Sequence, residues 1–325
     1  MRASALLSLL HEWPRSGQEY FVSFFSKTGI SFPLKKIRAE ISVPNPEQKM
    51  KRRQFIKGSV AASTIAAAAL ERLNSTAAEH AAMGNQEYYE LRAYRLKSGG
   101  NHELLDTYLE EAAIPGLNKL GIKPVGVFAQ MERTGSPAAT EVVDTHSLFV
   151  LIPYPTLESF ATAAARLHAD PVFQKAAAEY LHTAKSNSGF ERIDSWLMLA
   201  FSGMPKLEQP AYSRDKKPRV FEMRTYESHN ELKALKKVEM FNSGEIETMR
   251  EVGLGPIFYG QALIGPALPH LTYMLSAENA EAHKKHWGEF GKHPVWNKLK
   301  NDSQYDDTVS KITNRFLVPT SYSQI

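Results

Sequence analysis

A chain of 325 residues with 43% apolar and 23% charged content can build one large or two small globular cores and is not a disordered polymer. Its formal charge of +4 is uneven: residues 1–82 hold 12 of the 39 Lys and Arg but 6 of the 35 Asp and Glu, leaving 27 basic against 29 acidic residues, a net of −2. That balance argues against nucleic-acid binding by the main body. The absence of cysteine excludes disulfides, iron–sulfur ligation and a thiol nucleophile, and leaves passage into an oxidising compartment open.

Residues 1–49 contain Pro14, Pro33, Pro44 and Pro46 without a sustained period. They read as an upstream extension, disordered or the product of a start assigned too early. From Met50 the chain carries Lys51-Arg52-Arg53, an Ala-rich apolar run over Gly58–Leu70, and small residues around Ser75-Thr76-Ala77. This is the order of a signal peptide, placed at 50–82. The run is shorter than the roughly 20 residues that span a bilayer, so no stable membrane span is expected. Arg52-Arg53 with Phe55 and Lys57 resembles the twin-arginine export motif, and the expected destination is the periplasm.

In the main body, alternation predicts a strand over 87–95, and a helical period follows over 101–119 with Leu104, Leu105, Tyr108 and Leu109 on one side. Strands are predicted at 125–131 and 148–152, then a helical stretch over 157–185 broken at Pro171, then a strand at 192–199. A Pro-rich, charged stretch, 204–218, is the linker. The order then repeats: strand 219–227, helix 230–250, strands 257–264 and 270–275, helix 277–300 and strand 309–317.

The blocks themselves repeat. Tyr89-Glu90-Leu91-Arg92-Ala93-Tyr94 recurs as Phe221-Glu222-Met223-Arg224-Thr225-Tyr226, and Gly121 with Pro124 as Gly253 with Pro256. His146-Ser147-Leu148 recurs as His270-Leu271-Thr272, and Asp170-Pro171-Val172-Phe173 as His293-Pro294-Val295-Trp296. Each copy, 86–203 and 219–325, has the ferredoxin-like βαββαβ order, with helices on one face of an antiparallel sheet. The fold class is α+β, two tandem repeats packed sheet to sheet as an intrachain α+β barrel. The Glu-Leu/Met-Arg-x-Tyr strands, the Gly-x-x-Pro turns and the Asp/His-Pro-Val-aromatic blocks together resemble tandem NIPSNAP domains. That resemblance implies the barrel fold and brings no assigned activity with it.

Alternation puts Glu90, Arg92 and Tyr94 on one face of the first strand and Tyr89, Leu91 and Ala93 on the other. The apolar set is expected to face the helices. Glu90, Arg92 and Tyr94 would then meet Glu222, Arg224 and Tyr226 across the space between the repeats. Two readings stay open for these six residues: an ion pair that fixes the interface, or a ligand pocket in which Arg92 or Arg224 meets an anionic or carbonyl group and the tyrosines hold an apolar body. His146 and His270, entering the third strand of each repeat, are further candidates for ligand binding or proton transfer. His283, His286 and His293 read as a solvated basic helix face, and no metal site is expected because no His-Glu-x-x-His pattern is present.

No Gly-x-Ser-x-Gly elbow and no phosphate-binding loop occurs, and Pro256 removes an amide that Gly253-Leu254-Gly255 would need to cradle phosphate. The favoured function is therefore a non-catalytic binding or interaction module, monomeric, without a cofactor, with a small apolar or anionic ligand or a protein as partner. The alternative is a cofactor-light monooxygenase or haem-handling enzyme, which rests on fold analogy alone.

Overall fold

The computed structural model describes residues 86–131 and 147–325. The stretch 1–49 read as an upstream extension, the signal peptide expected at 50–82, and His146 lie outside the described residues.

The first repeat runs β1 (Tyr88–Leu96), α1, β2 (Gly126–Gln130), β3 (Ser147–Tyr154), α2 (Leu157–Ala169), α3 (Pro171–Ala176), α4 (Ala178–Leu181) and β4 (Phe190–Ala200). Helix α1 is helical over His102–Thr107, widens to a π-helical turn over Tyr108–Ala113 and continues over Ile114–Lys119. A short linker helix, α5 (Ala211–Arg214), precedes the second repeat: β5 (Val220–Glu227), α6, β6 (Gly255–Ile264), β7 (His270–Ala277), α7 (Ala280–Lys292), α8 (Pro294–Lys300) and β8 (Lys311–Pro319). Helix α6 also has three parts, Glu231–Met240, a π-helical turn over Phe241–Glu245, and Ile246–Glu251.

The helix boundaries are written in the side chains. Asn101, Asn230 and Asn279 each accept a backbone N–H of the first turn, as N-caps do. Thr156 and Ser159 form a reciprocal capping box at α2. Pro171 and Pro294 open α3 and α8, where the missing N–H has no helical partner to lose.

The eight strands close into one antiparallel barrel in the order β1-β3-β2-β8-β5-β7-β6-β4. Each repeat has the strand order 4-1-3-2, and the two sheets also join at their edges. Strand β2 pairs with β8 through Phe128 and Pro319, and β4 with β6 through Met198 and Ala262. Closure leaves no free edge in this sheet, which removes the template for edge-to-edge pairing with another chain.

The interior is a shared core. Tyr89, Leu91, Phe128, Phe149, Leu151 and Met198 of the first repeat pack with Phe221, Met223, Phe258, Met274 and Leu317 of the second. Rings meet across both seams: Phe128 lies 5.0 Å from Phe221 and Tyr89 5.2 Å from Phe258. Each such large apolar side chain contributes ~1.5–3 kcal/mol on full burial. Two further cores lie outside the barrel, each between a sheet and its own helices.

This arrangement reverses the expected facing of the first strands. Tyr89, Leu91 and Ala93 point into the barrel, while Tyr94 sits in the core under the first repeat's helices. Glu90, Arg92 and Tyr94 therefore lie beneath the helices, and Glu222, Arg224 and Tyr226 do likewise in the second repeat. The barrel interior gathers the apolar set of both first strands into one core, with Arg315 of β8 over the Phe149 ring at 5.6 Å. The sheet-to-helix layer can supply hydrogen-bonding side chains from above and so takes the polar set.

A donor–acceptor swap marks the duplication. Lys119 binds Asp170, the N-cap of α3, at 2.6 Å. At the same place in the second repeat Glu251 meets His293, the N-cap of α8, at 3.2 Å. The tie joins the same two elements in both copies with its polarity reversed.

Candidate functional site

The two Glu-x-Arg hooks are built alike and finished differently. In the first repeat Arg92 donates from Nε to Glu90 Oε1 at 2.6 Å and from Nη2 to Oε2 at 2.9 Å. Ser195 donates to Oε1 at 3.0 Å and the Tyr154 hydroxyl to Oε2 at 2.9 Å. Four donors on two oxygens saturate this carboxylate. The Arg92 side chain keeps 32% of its surface exposed, and Ser195, its ladder partner on β4, is exposed.

Four phenols gather around that guanidinium: Tyr94, Tyr108, Tyr154 and Tyr180. Burial pushes all four pKa values up, that of Tyr108 to about 12, and the positive charge of Arg92 opposes the rise in each. They are hydrogen-bond donors at neutral pH, so the group around Arg92 is rich in donors, and its one carboxylate is fully engaged. The π-helical turn of α1 begins at Tyr108 and brings its ring onto Tyr180. Such turns often mark functional positions.

Beside these phenols lies a cavity of about 220 Å³, walled by Leu104, Leu105, Leu181, Phe190 and Tyr180, with Thr183 and Ser188. Tyr180 is common to the cavity wall and to the group around Arg92, and Phe190 packs edge-on to Tyr94 at 5.2 Å. A space of about 150 Å³ can hold a benzene ring, so this one suits a small body of one ring or a short chain.

In the second repeat the same hook is sealed. Glu222 is 2% exposed. It accepts Arg224 Nη1 at 2.7 Å on Oε1, and His283 Nε2 and Trp287 Nε1, both at 2.8 Å, on Oε2. A carboxylate only accepts, so the Nε2 of His283 carries its proton. Burial alone would raise the Glu222 pKa, but the His283 hydrogen bond and the Arg224 charge outweigh it and hold the carboxyl below its ordinary 4.5. The Arg224 guanidinium lies 4.8 Å from the Trp287 ring and 5.5 Å from that of Tyr226. Its side chain is 14% exposed, and its ladder partner Asn314, which stands where Ser195 does, is buried.

A second ion pair lies above this hook. Lys237 meets Glu245 at 2.9 Å, the two 4% and 1% exposed, with the Lys237 ammonium 4.6 Å from the Phe241 ring. Burial pushes the Glu245 pKa up, and Lys237 only partly offsets that rise. The equivalent positions 132 residues earlier are Leu105 and Ala113, both buried and apolar.

The structure thus brings together Glu90, Arg92 and Tyr94 in one cluster and Glu222, Arg224 and Tyr226 in another, on outer faces of the barrel rather than across a shared space. His270 joins neither. It begins β7 on the interior side of the ladder, 3% exposed, with Thr272 Oγ1 3.4 Å from its Nδ1. Burial holds its pKa below the ordinary 6.5. Its burial therefore favours the fold above that value and loses that benefit as pH falls. The urea midpoint should drop between about pH 7.5 and about pH 5.5, and His270→Gln should flatten that slope.

The expectation of a solvated histidine face on α7 is corrected: Lys284 and Lys285 are exposed, but His283 is buried against Glu222. His283, Trp287 and Phe290 form an i, i+4, i+7 stripe that could have been read as the inward face. Tyr154, Tyr180 and Ser195 carried no comparable signal, since tertiary packing alone brings them to Arg92. Among the described residues no three His, Cys, Asp or Glu side chains converge as a metal site, and no helix is long and apolar enough to cross a membrane.

Comparison with known proteins follows this geometry. A NIPSNAP-like domain protein from Burkholderia xenovorans matches with 22% identity over 32% of this chain and 88% of its own, at a TM-score of 0.29. A NIPSNAP family protein from Agrobacterium tumefaciens matches with 14% identity over the same shares, at 0.28. A haem-binding protein from Thermus thermophilus matches with 13% identity over 73% of this chain and 92% of its own, at 0.37. No curated protein matches the chain. The sequence profile of the NIPSNAP family matches it twice, over residues 89–195 and 221–324. The chain belongs to the NIPSNAP family and carries two of its domains in tandem.

Proposed function

We propose that this chain is an exported, non-catalytic binding module that takes one small amphiphilic ligand in its first repeat. The ligand's acceptor oxygen, anionic or carbonyl, meets Arg92 and the surrounding phenols, and its apolar body lies along Tyr180 toward the neighbouring cavity. One observation supports this above the others. Of two hooks built on the same Glu-x-Arg strand, that of Arg92 is open beside Ser195, whereas that of Arg224 is closed by Trp287, His283 and Asn314. A closed hook serves stability, and an open one beside a cavity serves recognition.

Arg92→Ala should weaken the ligand about tenfold or more, because a hydrogen bond to a charged group contributes ~1.5–3 kcal/mol. Calorimetric titration of the wild type and the variant measures it, and equal affinities would refute the assignment. Export rests on the residue pattern of 50–82. Changing Arg52 and Arg53 together to Lys should hold the protein in the cytoplasm, which cell fractionation reads directly.

The alternative reading, a monooxygenase or haem-handling enzyme, rests on fold analogy alone. The two buried histidines, His270 and His283, do not offer haem an axial ligand. An axial histidine needs a free nitrogen facing a planar pocket, yet His283 is packed against Glu222 and Trp287, His270 lies in the barrel, and neither lines the cavity beside Tyr180.

A further inference from the structure

We infer that Tyr108 and Tyr180 form a site of oxidative cross-linking, in which a one-electron oxidant joins their rings as dityrosine. The geometry carries this. Aromatic pairs prefer offset or edge-on contacts with centroids about 4.5–7 Å apart. These two rings lie parallel within 8° at 3.8 Å, closer and flatter than the preferred arrangement. Both residues are half-buried, so small oxidants reach them while the surrounding protein holds the pair together. Face-to-face overlap is the approach from which two phenoxyl radicals couple.

The step balances. Each phenol loses one electron and one proton to become a phenoxyl radical. A carbon–carbon bond forms between ring positions ortho to the oxygens, and the two ring hydrogens move to the oxygens as aromaticity returns. The pair loses two hydrogen atoms in total, and one hydrogen peroxide accepts them as two waters in a single peroxidase cycle of two one-electron oxidations. The product is a covalent staple between α1 and the segment at α4, 72 positions apart in the chain. It would give a covalent link to a chain that has no cysteine for a disulfide.

The second repeat supplies an internal comparison. At the offset of 132 residues the position of Tyr108 is held by Met240, which immediately precedes the equivalent π-helical turn. Methionine cannot give a phenoxyl radical, so the Tyr108–Tyr180 pair has no counterpart at that position of the second repeat. The reaction does not depend on the ligand reading, because the stack is formed by the two side chains alone.

The test treats the full chain with limiting hydrogen peroxide and a haem peroxidase, followed by digestion and mass spectrometry. The expected product is a peptide pair joined through Tyr108 and Tyr180, lighter by two hydrogen atoms, with dityrosine fluorescence. Tyr108→Phe and Tyr180→Phe, each checked for an unchanged melting curve, should both abolish it, and unfolding the wild type in urea before oxidation should do the same. The inference is overturned if no joined pair forms, if the link maps to other tyrosines or joins two chains, or if it survives either substitution.

Discussion

Lys237→Met should be among the most damaging single substitutions in this protein, lowering stability by ~3–5 kcal/mol, because it leaves Glu245 buried without its partner. Glu245 is 1% exposed, and its carboxyl already pays for burial in a raised pKa even with Lys237 2.9 Å away. The double variant Lys237→Leu with Glu245→Ala should behave in the opposite way. It recreates Leu105 and Ala113, which the first repeat packs at the same positions. Replacing a buried ion pair by apolar residues is often neutral or stabilising by ~1–4 kcal/mol. Urea unfolding of the two variants measures both effects. A double variant as unstable as the single one would mean that the pair makes contacts the apolar solution cannot replace.

Phe221→Ala should cost a similar ~3–5 kcal/mol, for a different reason. Phe221 is fully buried in the barrel and its ring meets Phe128 across the seam between the repeats. Truncation opens a cavity that neither half can close alone, since the interior core draws on both. The loss should appear as a downward shift of one melting transition that reports both repeats together. Calorimetry checks this, and two separated transitions would show that each repeat is stable without the shared interior.

The duplication, the strand and helix order and the intrachain barrel were all legible in the residues, because period-2 and period-3.6 patterns and the repeated blocks are local signals. The facing of the first strands was not. Alternation divides Glu90, Arg92 and Tyr94 from Tyr89, Leu91 and Ala93, but it does not say which side meets the helices. That depends on what each face packs against, and in the closed barrel Tyr89, Leu91 and Ala93 join one core with Phe221 and Met223 of the other repeat. The six residues of the two hooks were identified from their repeated pattern, while their completion was not. Ser195 and Tyr154 reach Glu90 from strands far along the chain, and His283 reaches Glu222 from a helix whose lysines suggested a solvated face. The π-helical turns that bring Tyr108 and Phe241 over the strands also left no trace in the hydrophobic period.

The difference between the hooks is the centre of the functional account, and native mass spectrometry of the protein purified from the cells that make it tests it most directly. The account predicts one small molecule per chain, lost in Arg92→Met and retained in Arg224→Lys. A bare polypeptide mass in the wild type, two molecules per chain, or a ligand that survives Arg92→Met would contradict it.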